Sequence, residues 1–492
     1  MMNNKVQLLN AVLVIVTAIV SVNFIVKWAL KTLISRRIKR RLPPVVKGRL
    51  PLIGGVVRFV KNPIKLLEEE YENLGSVFTL NVVNKNITFL LEPQVSAHFF
   101  TATESELSQK EVYRFTVPIF GPGIIYDAEY SVRHQQFRFV EDAFRVTKLQ
   151  GFVDDLLEEV QEYFSRWGDS GEVDLKQELD NLIILTASRC FLGREVSESI
   201  TEEITSLINE INVAKGPVTM MFPYLPIPAH RNRDKARKKL DTILSKIIVS
   251  RKSSGKSGND MLQTLIDSKY KDGRATTEAE ITGMLITSIY GGQRTTSATA
   301  IWTGAYLIHY KKFWLAATEE QTTLMKKNGN TINYDVLVGM QVLYRCIKEA
   351  LRLRPSVPLL LRQSHREFSV VTRKGEKYDI PRGHIVAASP VLSNRLPHIY
   401  TNPDDYDPER YCIGREEDKL AGPFSFTSFG GGRHSCLGEA FAYFELKTIW
   451  SHLLRNFELH LISSFPETDW NDIVWGVKDK VMVRYQRRNL AY

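Results

Sequence analysis

Residues 281–310 form a run of 30 without a proline, chiefly apolar and broken by Gln293, Arg294 and scattered hydroxyls. As an α-helix this run extends about 45 Å, at 1.5 Å per residue, which is enough to cross a whole domain. Gln293, Arg294 and the hydroxyls argue against a membrane span, so the helix is expected to run through the interior of a large body. At its middle Gly291 and Gly292 are adjacent, and each costs about 1 kcal/mol relative to alanine inside a helix. Thr295 and Thr296 follow. Gly291 and Thr295 stand at i and i+4 and share a face. A helix loosened beside a threonine hydroxyl makes room for dioxygen and can hydrogen-bond it. The structural alternative is a close helix–helix crossing that uses small residues.

The rest of the chain reads as mainly α with a small β subdomain. Helical patterning dominates residues 133–330, while residues 77–91 and 368–388 carry β-branched residues, alternation and turns. With 492 residues, 43% of them hydrophobic, the chain can bury a large core. Cys190, Cys346, Cys412 and Cys436 form no CxxC pair and no zinc spacing, so a reducing compartment is expected rather than a disulfide framework. The formal charge of +10 is local. Residues 1–41 hold eight Lys/Arg and no acid, which leaves 57 basic against 55 acidic residues, or +2, elsewhere. That distribution excludes nucleic acid as a partner.

Residues 6–26 are free of charge, and Lys27, Lys31, Arg36, Arg37, Lys39, Arg40 and Arg41 follow. The run is long enough to cross a bilayer, and the basic cluster places the following body on the cytosolic side. It is too long for a usual signal peptide, with the basic residues on the wrong side. The expected organisation is a membrane anchor at 1–30, a basic, proline-rich linker at 31–55 and a catalytic body at 56–492. Residues 222–228 (FPYLPIP) cannot continue a helix; they read either as a lipid-dipping loop or as a buried connector. Gly255-Lys256-Ser257 is not a phosphate loop, because no glycine stands five residues before Gly255.

Near the C-terminus lies Phe429-Gly430-Gly431-Gly432-Arg433-His434-Ser435-Cys436-Leu437-Gly438. A thiolate is an electron-donating ligand for haem iron. It needs backbone N–H groups aimed at sulfur, glycines that let the backbone come close and a helix N-terminus that favours the anion. Gly432 and Gly438 bracket Cys436, Phe429 can shield it, and a helical run begins at Glu439. Upstream, Glu349 and Arg352 stand at i and i+3 before Pro355, and Tyr406-Asp407-Pro408-Glu409-Arg410-Tyr411 supplies a second arginine. A carboxylate between two guanidiniums would lock the region beneath a haem.

With these motifs, in this order, the chain resembles the cytochrome P-450 superfamily over essentially its whole length. Glu349, Arg352 and Arg410 match the family's structural network, and Cys436 matches its haem ligand. His434, where most of the superfamily has arginine, is similar to the sterol 14α-demethylase family. So are residues 113–123, 185–190, 222–230, 394–398 and 475–484, which look like its plant members. The resemblance implies haem b, electrons from NADPH through a flavoprotein reductase, and monooxygenation of an apolar polycycle. It implies Tyr113, Phe115, Phe120 and Gly291 as cavity lining and Thr295 and Thr296 as catalytic. It offers Arg138, Arg362 and His434 as partners of the haem propionates, with Phe429 and Gly432 also against the haem. A monomer in the endoplasmic reticulum membrane is expected.

The chain departs from that family in one place that bears on chemistry. The sterol demethylases carry Ala-Gly-Gln-His-Thr where this chain has Gly291-Gly292-Gln293-Arg294-Thr295. Histidine relays protons near neutral pH, whereas arginine stays protonated. Arg294 lies one residue off the Gly291–Thr295 face and is expected to pair with a carboxylate elsewhere. Residues 356–361 also differ from the family's usual sequence. The expected function is therefore oxidation of a plant triterpenoid scaffold such as β-amyrin in specialised metabolism. The alternatives are 14α-demethylation of obtusifoliol-like sterols and a catalytically silent haem- or steroid-binding membrane protein.

Overall fold

The computed structural model describes residues 41–47, 54–82, 85–194, 196, 198–213, 219, 222–255, 257–470, 472–488 and 490. The apolar segment 6–26 and its basic flank up to Arg40 lie outside them. Among the described residues no helix is long and apolar enough to cross a membrane, in keeping with the reading of residues 281–310.

That run forms the long helix Glu278–His309, started by a capping box in which Thr277 and Glu280 satisfy each other's backbone N–H groups. Its first half, with Ile281, Met284, Leu285, Ile286 and Ile289, packs in one hydrophobic cluster. Its second half, with Ala300, Ile301, Trp302, Ala305 and Leu307, packs in another. The helix thus joins two cores, and residues 290–297 lie at the seam. Around it stand helices Val146–Ser165, Leu175–Leu192, Pro228–Ser254, Gln341–Leu353 and Glu439–Asn456.

The β structure is small and lies to one side. Strands β1 (Val77–Val82), β2 (Lys85–Leu90), β3 (Leu107–Ser108), β5 (Leu360–Ser364) and β8 (Ile385–Ala388) form a five-stranded sheet in the order β1-β2-β8-β5-β3. β4 (Ser170–Asp174), β9 (Phe457–Leu461) and β10 (Met482–Arg487) form a second sheet, and β6 (Phe368–Val371) pairs with β7 (Lys377–Ile380). β8 runs parallel to β2, with Ile87 opposite Ile385, and antiparallel to β5.

The body reaches into the segment expected as linker. Val46 N–H donates to Thr79 O (2.9 Å), Thr79 N–H donates to Pro44 O (2.8 Å) and Asp379 N–H donates to Arg41 O (2.9 Å). The loop holding Phe222, Tyr224 and Leu225 is not a buried connector, since these side chains are 54%, 60% and 40% exposed.

Candidate active site at the cysteine loop

The glycines of the loop set its path. Gly430 and Gly432 have φ of 73° and 61°, a region L side chains rarely adopt, and a Cβ on Gly432 would overlap the carbonyl oxygen of Phe100. Cys436 N–H donates to Phe429 O (2.9 Å), closing the loop, while the Phe429 ring packs 5.4 Å from Tyr443. Gly438 caps helix Glu439–Asn456. The backbone N–H groups of Gly438 and Glu439 bond the sulfur and draw its pKa down, but burial outweighs them and raises it. Protein therefore surrounds the thiol closely, while the residue keeps an exposed surface.

A cluster of buried charge lies beside the loop. Arg133, on helix Tyr130–Asp142, pairs with Glu104, and both are buried. Ser108 Oγ (2.8 Å) and Gln109 N–H (2.9 Å) also donate to Glu104. Arg362 is buried on β5, its guanidinium 4.8 Å from the centre of the Phe99 ring. His434 Nε2 stands 3.6 Å from Glu104. Burial first, and Arg362 next, push the His434 pKa down to about 4, so the ring is neutral at pH 7. Arg133 Nε and Nη1, Arg362 Nε and His434 Nε2 are buried without a hydrogen-bond partner. Buried donors left this way are costly, and the two guanidiniums outnumber the single carboxylate of Glu104. The cluster fits the acid groups of an anionic ligand, as haem propionates are. Arg138 is not brought into it. Five residues after Arg133, it lies about 140° round the helix and is exposed; Arg133 is the buried cation of this helix.

The middle of the long helix holds the other candidate residues. An added Cβ at Gly291 or Gly292 would meet nothing within 4 Å. The close-crossing role falls instead to Gly283, where a Cβ would come 2.7 Å from Phe120 O, and to Gly304, where it would overlap Trp450. Gly291 is exposed and Thr295 partly so, with Thr295 Oγ1 donating to Gly291 O (2.8 Å). Thr296, about 100° further round, is buried. Tyr113 stacks on Tyr126 (4.9 Å), Phe120 meets the edge of Tyr290 (5.8 Å), and Phe115 lies 6.2 Å from Tyr113. Leu361 N–H donates to Tyr113 Oη (3.4 Å). Together they build an aromatic wall between β5 and the long helix.

The Glu349 network forms as expected and is closed on all sides. Glu349, Arg352 and Arg410 are fully buried. Glu349 Oε1 accepts from Arg352 (2.8 Å), Arg410 (2.9 Å) and Asp407 N–H (3.0 Å), and Oε2 accepts from Arg352 (2.9 Å) and Tyr411 (2.8 Å).

The model of the cytochrome P-450 family matches residues 43–478. The chain belongs to the cytochrome P-450 family. As a member it is a monooxygenase that uses haem iron, with electrons from NADPH through a reductase. It is 58% identical to a sterol 14-demethylase of Arabidopsis thaliana over 485 residues, 99% of each chain. It is 57% identical to an obtusifoliol 14-alpha demethylase of Sorghum bicolor over 465 residues, 94% of each. The fold is similar to that of a cyanobacterial cytochrome P-450 with retinoic acid bound, at a TM-score of 0.80 and 21% identity, covering 92% of this chain and all of the other.

Within this P-450, Arg133, Glu104, Tyr126 and Asp472 were not foreseen from the sequence. A buried arginine and an exposed one on a helix look alike in sequence, and Tyr126 follows a glycine turn with no period to mark it. Asp472 answers the expectation for Arg294, whose Nη2 donates to it.

Proposed function

We propose that this cytochrome P-450 is a sterol 14α-demethylase of obtusifoliol-like sterols. The observation that carries the reading is the 57–58% identity, over nearly the full length, to plant relatives so named; it favours this substrate over the triterpenoid expected from the sequence. The haem supplies oxygen activation when bound, with one oxygen atom entering the substrate and the other leaving as water. Cys436 ligates its iron, and Phe429 and Gly432 let the loop close over the sulfur. Arg133, Arg362 and His434 hold the acid groups. Gly291 leaves open space beside the helix, and the Thr295 hydroxyl, which donates to Gly291 O in this structure, would have to turn from that carbonyl to give its proton to that space. Tyr113, Phe115, Phe120, Tyr126 and Tyr290 exclude water and fit the flat apolar faces of a polycycle.

One observation favours a second reading, oxidation of a triterpenoid such as β-amyrin. Arg294, tied to Asp472, stands where the resemblance leads one to expect histidine, and arginine does not relay protons. Purified enzyme with reductase, given both substrates, separates the two. Formate and demethylated sterol without triterpene product supports the first; hydroxylated or epoxidised triterpene without formate supports the second. On the second reading Arg294→His raises sterol demethylation, and no change removes the position from the distinction. Absence of the red-shifted thiolate band in the reduced carbon-monoxide complex would sink the ligand assignment. In either reading residues 6–26 anchor a monomeric, cytosolic body to the endoplasmic reticulum membrane.

A further inference from the structure

The C-terminal loop between β9 and β10 is long and irregular, with Thr468 bridging Val477 as its own internal pairing. It is attached to the long helix at successive positions. Arg294 pairs with Asp472. Trp475 N–H donates to Ser356 O (2.8 Å), and Ser356 Oγ donates to Thr295 O (3.3 Å). A Cβ on Gly476 would lie 3.7 Å from Ala298 Cβ. These ties lie just beyond Gly291 and Gly292, where an added Cβ would meet nothing within 4 Å.

Asp472 is shaped for the task. Its Oδ1 accepts from Ile473 N–H (2.7 Å) and Val474 N–H (3.4 Å). The loop's own backbone thus orients the carboxylate, and Oδ2 is turned to Arg294. An exposed ion pair between two flexible chains is worth little, but a carboxylate fixed in advance loses less freedom on pairing. Tyr290, one turn before Arg294, stands in the aromatic wall against Phe120. The loop, the helix turn and that wall are therefore mechanically joined.

We propose that Arg294, through Asp472, is a positioning residue that fixes residues 472–476 against the long helix and so decides which carbon of a rigid polycycle is presented at the Gly291–Thr295 opening. The inference rests on the assignment of that opening as the reaction site, and it holds whichever polycycle is oxidised.

The test uses the full-length enzyme with its reductase and four variants: Arg294→Gln, Arg294→Lys, Asp472→Asn and the double Arg294→Gln/Asp472→Asn. Three quantities are read: the reduced carbon-monoxide spectrum, hydrogen exchange at the amides of Ile473, Val474 and Trp475, and the ratio of main to minor oxidation products. Arg294→Gln and Asp472→Asn are expected to keep the thiolate band, exchange those amides about tenfold faster and lower the product ratio at least threefold. Arg294→Lys is expected to stay within twofold of the parent. The double variant should be no worse than either single change, because both remove one interaction. Unchanged exchange and product ratio in both single variants would overturn the proposal, as would effects that multiply in the double variant. Failure of the parent to demethylate a sterol would instead count against the substrate reading, leaving the exchange arm to judge the tie.

Discussion

Gly432 combines a φ of 61° with a Cβ position that collides with backbone. Neither partner is the far end of a flexible side chain, so relief requires the loop to move. Gly432→Ala is expected to cost about 2 kcal/mol or more and to lower haem occupancy, read as Soret absorbance per protein and as a drop in the urea midpoint. Gly438→Ala, with φ of −92° and open space around it, should be mild by the same measures. The contrast shows what was legible here. The Cys436 motif stands out in sequence because its residue types are adjacent. Which of its glycines is sterically compelled depends on Phe100, 332 positions before Gly432, and so does not. The charge cluster is similar: His434 is recognisable by its place before the cysteine, but its neutrality follows from burial and from Arg362 on a distant strand.

Elements bring these residues together through buried charge, and the two cases on which predictions rest act in opposite directions. Glu349 satisfies two guanidiniums that see no water. Glu349→Ala leaves both buried and uncompensated, a loss of about 3–5 kcal/mol, so the variant should accumulate no protein with a thiolate carbon-monoxide band. Glu445, on helix Glu439–Asn456, is buried against helix Leu175–Leu192, where Thr186 Oγ1 donates to it (2.5 Å). Burial pushes its pKa up to about 8 from 4.5. The folded state therefore keeps a proton that the unfolded chain releases above pH 4.5. Stability falls as pH rises from about 4.5 to 8 and is flat beyond. At pH 7 the penalty is about 3 kcal/mol. Glu445→Gln is expected to raise the melting temperature at pH 7, to leave it unchanged near pH 4.5, and to flatten its pH dependence between these limits. The i, i+3 spacing of Glu349 and Arg352 was legible; the fit of Arg410 and Tyr411 around them comes from the fold. Nothing in the local sequence marks Glu445 as protonated.

At the scale of the molecule, the uninterrupted run around Gly291 revealed a core helix because its length and continuous apolar character leave few other options. The seam between two cores, at which its glycines open, emerges from long-range packing. The proposed membrane attachment is tested at the same scale. Residues 41–46 are hydrogen-bonded into the body, so removal of residues 1–40 should leave the fold and the carbon-monoxide spectrum intact. It should not abolish lipid contact. Phe222, Tyr224 and Leu225 present apolar surface to solvent, and the helix after them begins Pro228-Ala229-His230-Arg231 and carries the exposed Lys238 and Lys239 in its third and fourth turns. Apolar burial contributes about 25 cal/mol per Å², and basic residues near an anionic surface contribute about 1 kcal/mol each. The truncated protein is expected to sediment with vesicles containing anionic lipid, more weakly than the full chain and less at high salt. Phe222→Ser with Tyr224→Ser should reduce that binding at least fivefold while preserving the spectrum. If the truncated parent does not bind vesicles at all, the exposed loop has no part in holding the body to the membrane, and residues 1–40 carry the whole attachment.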